Sequence, residues 1–122
     1  MPNYWFDHVH LMSPDPLKTV EFYEKMFGAK KISIRELADG RITANLNLNG
    51  TTILITQPRS DSSQTGLGHF GLGTDDLETA VEELKASGAN FTQEVTEIRP
   101  GFKISFLLAP ENVSIELQEG NF

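Results

Sequence analysis

The sequence predicts an α+β fold made of two tandem copies of one βαβββ module, and three observations carry that prediction. First, two histidine segments have matching surroundings: Phe6-Asp7-His8-Val9-His10-Leu11 runs on to Asp15-Pro16-Leu17, and Gly68-His69-Phe70-Gly71-Leu72 runs on to Asp75-Asp76-Leu77. Each histidine stands seven residues before the aspartate of a helix start, His8 before Asp15 and His69 before Asp76. Second, Gly28 closes the first helix 20 residues after His8, and Gly88 closes the second 19 residues after His69. Third, Leu54 lies 46 residues after His8 in one apolar-alternating run, and Glu116 lies 47 residues after His69 in another. A constant offset of about 61 residues marks a duplicated supersecondary unit, and two copies are too few for a solenoid, so they should share one core.

The elements follow in order. Residues 5–12 alternate Val9 and Leu11 with His8, His10 and Met12, a strand pattern. Ser13-Pro14-Asp15-Pro16 ends it, with Asp15 as N-cap and Pro16 at the first helical position. Leu17, Val20, Phe27 and either Phe22 or Tyr23 supply the helix's apolar stripe. Strands at 29–37, around Ile42–Leu48 and around Ile53–Ile55 are separated by the hairpin signals Asp39-Gly40 and Asn49-Gly50. The polar run from Gln57 to Gly66 has no apolar period. Module one is therefore drawn at 1–58, a linker at 59–66 and module two at 67–122. In module two Asp75 and Glu78 have capping-box spacing, Leu77, Ala80, Val81 and Leu84 fall on one helical face, and strands are expected near 90–97, 102–109 and 113–119.

Composition narrows the function. A chain of 122 residues with 39% apolar content is one domain, and no stretch is apolar enough to span a bilayer, so no membrane partner is expected. The start lacks a basic region followed by an apolar run, which makes the cytoplasm the expected compartment. The absence of cysteine removes disulfides, zinc–thiolate sites and thiol chemistry. A net charge of −7 argues against nucleic acid, and the small basic group Lys25, Lys30, Lys31 and Arg35 reads as solvated surface. Gly66-Leu67-Gly68-His69-Phe70-Gly71 matches a dinucleotide fingerprint as text, but it precedes a strand instead of joining strand to helix. Glu82-Glu83 is an exposed helix face.

Alternation also assigns faces. Val9, Leu11, Ile53, Ile55, Phe70, Leu72, Ile115 and Leu117 should lie under the helices. The other face carries His8, His10, Thr52, Leu54, Thr56, His69, Gly71, Gly73, Ser114, Glu116 and Gln118, with Gly71 and Gly73 leaving room beside His69. Of four repeat-equivalent positions on that face, two are histidine, one is glutamate and one is leucine. Two imidazoles and a carboxylate meeting about a pseudo-two-fold axis would make a facial triad with open positions for Fe(II), Mn(II), Co(II), Ni(II) or Zn(II). His8, His69 and Glu116 are those candidate ligands. The plainer explanation is that each histidine is a hydrogen-bonded residue on a half-buried strand, with Glu116 paired to one of them, but it gives no reason for matched positions. His10 shares the face without a histidine counterpart and is a candidate for proton transfer, or a rim residue.

The doubled βαβββ unit, His8 followed by Phe22-Tyr23, Gly68-His69 with Asp75-Asp76-Leu77, and Ile115-Glu116-Leu117 resemble the vicinal oxygen chelate superfamily. That superfamily contains glyoxalase I, methylmalonyl-CoA epimerase, extradiol dioxygenases, and fosfomycin and bleomycin resistance proteins. The resemblance spans essentially the whole chain. It implies a cup-shaped mixed sheet around a divalent metal, a small-molecule substrate, and a homodimer that shares or exchanges modules. Glyoxalase I carries a metal-binding glutamate at the position of Leu54, the epimerase carries a glutamine there, and bacterial-type glyoxalases place an arginine at the position of Met12. The expected activity is therefore that of a metal-dependent enzyme, either dioxygenase-like or a glyoxalase-like lyase or isomerase, with two substrate oxygens on the metal. Met12, Leu54, Thr56 and Gln118, together with Phe106 or Leu107, would line a partly apolar substrate pocket. The alternative is a non-catalytic cup that sequesters a small aromatic compound, as in the resistance branch.

Overall fold

The computed structural model describes residues 2–60 and 64–121, and the centre of the expected linker, residues 61–63, lies outside the described residues. Among the described residues eight strands and two α-helices are arranged as β1 (Tyr4–Met12), α1 (Pro16–Phe27), β2 (Lys30–Glu36), β3 (Ile42–Leu48), β4 (Thr51–Thr56), β5 (Gly66–Thr74), α2 (Leu77–Ala86), β6 (Asn90–Arg99), β7 (Phe102–Ala109) and β8 (Val113–Glu119). The order is βαβββ twice, and the pairing is mixed. The chain divides into two compact units, one of His8–Gly68 and one of Met1–Asp7 with His69–Phe122.

In the His8–Gly68 unit the strand order is β2-β3-β4-β1, with β1 parallel to β4 and the remaining pairs antiparallel. Asp15 caps α1 by accepting from the Lys18 N–H at 3.3 Å, and Gly28 ends it at φ 73°, a left-handed conformation that costs glycine nothing. The Asn49-Gly50 turn takes positive φ at both residues, 51° and 98°, which is what a two-residue hairpin matched to strand twist needs. The core of this unit is Val20, Ala29, Ala44, Leu46, Ile53 and Ile55, with Val9, Leu11, Tyr23 and Leu48 packed against it. The helical stripe is narrower than the sequence suggests. Val20 is buried and Tyr23 packs inward, whereas Leu17, Phe22 and Phe27 are exposed.

The other unit repeats the plan in the order β5-β8-β7-β6, with β5 parallel to β8 and its other pairs antiparallel. Its core is Leu77, Val81 and Leu117, supported by Leu72, Leu84, Phe91, Val95 and Leu107. Asp76 caps α2, accepting from the Thr79 N–H at 3.2 Å and the Thr79 hydroxyl at 2.8 Å. The expected capping box from Asp75 to Glu78 does not form. Asp75 instead accepts from the backbone and side chain of Asn3, both at 3.0 Å, and those bonds hold its carboxyl below the usual carboxylate range. Alignment of the two copies, which equates Asp15 with Asp76, identifies the cap that the local motif missed.

The face assignment holds for the strands next to the helices, with one correction. Leu107 pairs with Ile115 and packs in the core beneath α2, so it does not line the open face. Three of four consecutive residues in Phe106-Leu107-Leu108-Ala109 are large and apolar, so alternation alone could not choose the parity of β7. Pairing with β8 chooses it.

Candidate metal centre

In the His8–Gly68 unit the candidate side chains stand on the parallel pair β1 and β4. The register sets His8 opposite Thr52, His10 opposite Leu54 and Met12 opposite Thr56. His8 is fully buried, and the His8 and His10 rings lie 6.0 Å apart between centroids at 66°. His10 Nε2 is 2.7 Å from the Thr56 hydroxyl, which is itself 2.8 Å from the Thr43 hydroxyl. Thr43 was not singled out from sequence. It could have been, because it alternates with Asn45 and Asn47 on β3, and those three face the same side as the histidines. Leu54 and Thr56 are buried and Met12 is half-buried. Gly68 is a close-approach glycine, since a β-carbon there would stand 3.1 Å from Met12 Cγ and 3.2 Å from the His10 carbonyl.

In the other unit β5 and β8 repeat the arrangement. Gly71 stands opposite Glu116 and Gly73 opposite Gln118, so Gly71 and Glu116 take the places that His10 and Leu54 take in the first unit. His69 Nε2 lies 3.2 Å from Glu116 Oε1, with side chains only 15% and 7% exposed. The edge of the Phe106 ring meets the His69 ring at 5.1 Å and 90°, which fixes the imidazole plane. Gln118 is buried and donates from Nε2 to the Gly120 carbonyl at 3.2 Å. The room expected beside His69 is reduced, because the space that a side chain at Gly73 would take is filled by the Trp5 indole. Nothing local to Gly73 announces that ring, which comes from the opposite end of the chain.

A buried carboxylate is costly unless it is paired and hydrogen-bonded or holds a metal. An imidazole nitrogen and a carboxylate oxygen 3.2 Å apart on neighbouring strands are of the types that supply two of the three donors of an open nitrogen/oxygen site. His69 and Glu116 therefore fit a divalent ion, and the buried imidazole of His8 is a suitable donor in the other unit.

Comparison with known proteins identifies the family and the fold. The family model described as the Glyoxalase/Bleomycin resistance protein/Dioxygenase superfamily matches residues 5–117. The chain belongs to that superfamily. A lactoylglutathione lyase of Arabidopsis thaliana is 32% identical over 121 residues, covering 92% of this chain and 43% of that protein. The chain thus spans less than half the length of this plant relative. Among solved structures, a hypothetical protein from Bacillus halodurans C-125 has a TM-score of 0.82 at 21% identity, covering 98% of this chain and 96% of the other. A Streptomyces coelicolor methylmalonyl-CoA epimerase, in complex with 2-nitronate-propionyl-CoA, has a TM-score of 0.77 at 24% identity over 95% and 94% of the two chains. These structural likenesses show a shared fold of two βαβββ modules. Among the described residues no helix is long and apolar enough to cross a membrane.

Proposed function

We propose that this chain is a metal-dependent enzyme of the superfamily, holding one divalent ion between His8, His69 and Glu116 and acting on a small molecule with two neighbouring oxygens. The observation that carries the proposal is the 3.2 Å approach of the half-buried His69 to the buried Glu116, at positions that match His8 and Leu54 by strand register. When bound, the ion would supply Lewis-acid stabilisation of negative charge developing on the substrate oxygens.

The chain's own residues have distinct parts in this scheme. His10 is the proton-transfer candidate, because the Thr56 hydroxyl at 2.7 Å steadies its ring and the Thr56–Thr43 pair continues the hydrogen-bonded path. Leu54, the strand partner of His10, is a buried apolar wall that cannot ligate, so the site keeps three protein donors in place of four. Met12, Thr56 and Gln118 would complete the substrate pocket, with Phe106 holding His69 from the side. The names of the curated relatives support the lyase or isomerase branch over the dioxygenase branch. The chain would act in the cytoplasm as a homodimer, and the exposed Phe22, Met26, Phe27 and Ile32 of α1 and β2 offer an apolar surface for self-association.

The test is metal analysis of protein purified without added metal, followed by substrate screening with and without oxygen. A stoichiometric divalent ion that His69→Ala loses, with turnover of a 2-oxoaldehyde–thiol adduct or an acyl-CoA ester in the absence of oxygen, supports the proposal. Turnover of a catechol only in the presence of oxygen moves the protein to the dioxygenase branch. A metal-free protein that binds an aromatic compound without turnover makes it a sequestering cup and refutes the proposal.

A further inference from the structure

The unit formed by residues 1–7 and 69–122 contains an apolar cavity of about 290 Å³ that the metal site does not use. It lies on the helix side of the sheet, lined by Tyr4, Leu72, Leu84, Leu107, Ile115 and Leu117. The duplication explains why it exists. With Asp15 equated to Asp76 and Leu54 to Glu116, the lining residues Leu72, Leu107 and Ile115 correspond to Leu11, Leu46 and Ile53. Those pairs are alike in size. A large change lies in the helix, where Tyr23 of α1 corresponds to Leu84 of α2, and another on β6, where Phe91 packs on this core at the register position of Lys31. Tyr23 packs its ring onto the first core, in which Leu46 and Ile53 are buried. Around Leu84 the equivalent Leu107 and Ile115 are only half-buried, so the cavity is the space that an aromatic ring fills in the sister unit.

The mouth has a chemistry of its own. Tyr4 lines the cavity, and its phenol is held above the usual value, first by burial and then by the nearby Glu83 and Asp75 carboxylates. Asn3, next to Tyr4 in the chain, donates two bonds to Asp75 and keeps it anionic, so an incoming cation would meet the Asp75 and Glu83 carboxylates together. An open pocket with an apolar lining takes up apolar groups of matching shape. We propose that this cavity is a binding site for a small aryl-alkyl ammonium compound, its ring occupying the place of the Tyr23 ring and its cation facing the Asp75 and Glu83 carboxylates. The site is separate from the proposed metal centre and does not depend on it.

The probes are 2-phenylethylamine, 2-phenylethanol and phenylacetate, titrated into the intact protein with methyl-labelled leucine and isoleucine and followed by NMR. Saturable shifts at Leu72, Leu84, Leu107 and Ile115, with the amine bound most tightly and the carboxylate least, are expected. Glu83→Gln, an exposed change, should weaken the amine about two- to fivefold and leave the alcohol unchanged, as a surface charge contact would. Leu84→Tyr should abolish binding of all three and raise the melting temperature. Shifts confined to other methyl groups, equal affinity for amine and carboxylate, or a folded Leu84→Tyr protein that still binds would each overturn the proposal. Should Leu84→Tyr fail to fold, the Glu83→Gln comparison decides alone.

Discussion

Glu116→Gln separates a metal ligand from a structural carboxylate. Glutamine has the shape of glutamate and can still hydrogen-bond to His69 across the 3.2 Å gap, so the metal-free fold should change by only about 1 kcal/mol. An ion that binds the native state alone adds about 2.7 kcal/mol when its free concentration is a hundred times its dissociation constant. The unfolding entropy of a 122-residue chain converts that gain to a rise of about 10 °C in melting temperature. The assay is thermal unfolding of chelator-treated protein, with and without added Co(II), Ni(II), Mn(II) or Zn(II). Wild type should show the rise with at least one ion, and Glu116→Gln should lose most of it while melting near wild type under chelator. If Glu116→Gln keeps the full rise, Glu116 is not a ligand. If it melts far below wild type without metal, the carboxylate is structural and the ligand argument fails.

Other consequences are independent of the metal. Leu46→Ala, at a fully buried core position, should cost about 2–5 kcal/mol in chemical denaturation. Asp76→Ala should cost about 1 kcal/mol through the lost α2 cap, and Asp75→Ala less, although the local motif favours Asp75. Gly73→Ala should push the indole of the single tryptophan, Trp5, out of place, seen as a red shift and loss of intensity in its fluorescence.

Much of the fold was legible because it was written twice. Hairpin and cap signals such as Asn49-Gly50 and Asp15-Pro16 depend on local backbone chemistry, and each corresponds to the element it predicted. The period-2 alternation placed Val9, Leu11, Ile53 and Ile55 in one core because each has a polar neighbour on at least one side to fix the face. Leu107 had no such neighbours, and only its pairing with Ile115 settles its side. The position of Trp5 over Gly73, the bond from Thr43 to Thr56 and the half-empty core around Leu84 arise from contacts between distant segments. Periodicity carries no record of such contacts. At the site, the repeat offset marked His69 and Glu116 as positions on one face, and they stand 3.2 Å apart; a hydrogen-bonded pair and a pair of ligands both have that spacing, so metal binding is what separates the two.

The most direct test is a crystal structure of the Co(II)- or Mn(II)-loaded protein with anomalous data collected at the metal edge. One strong peak within about 2.0–2.2 Å of imidazole nitrogens of His8 and His69 and a carboxylate oxygen of Glu116 is the predicted result. A peak that omits either module's ligands, or none at these three residues in crystals grown with saturating metal, would contradict the account.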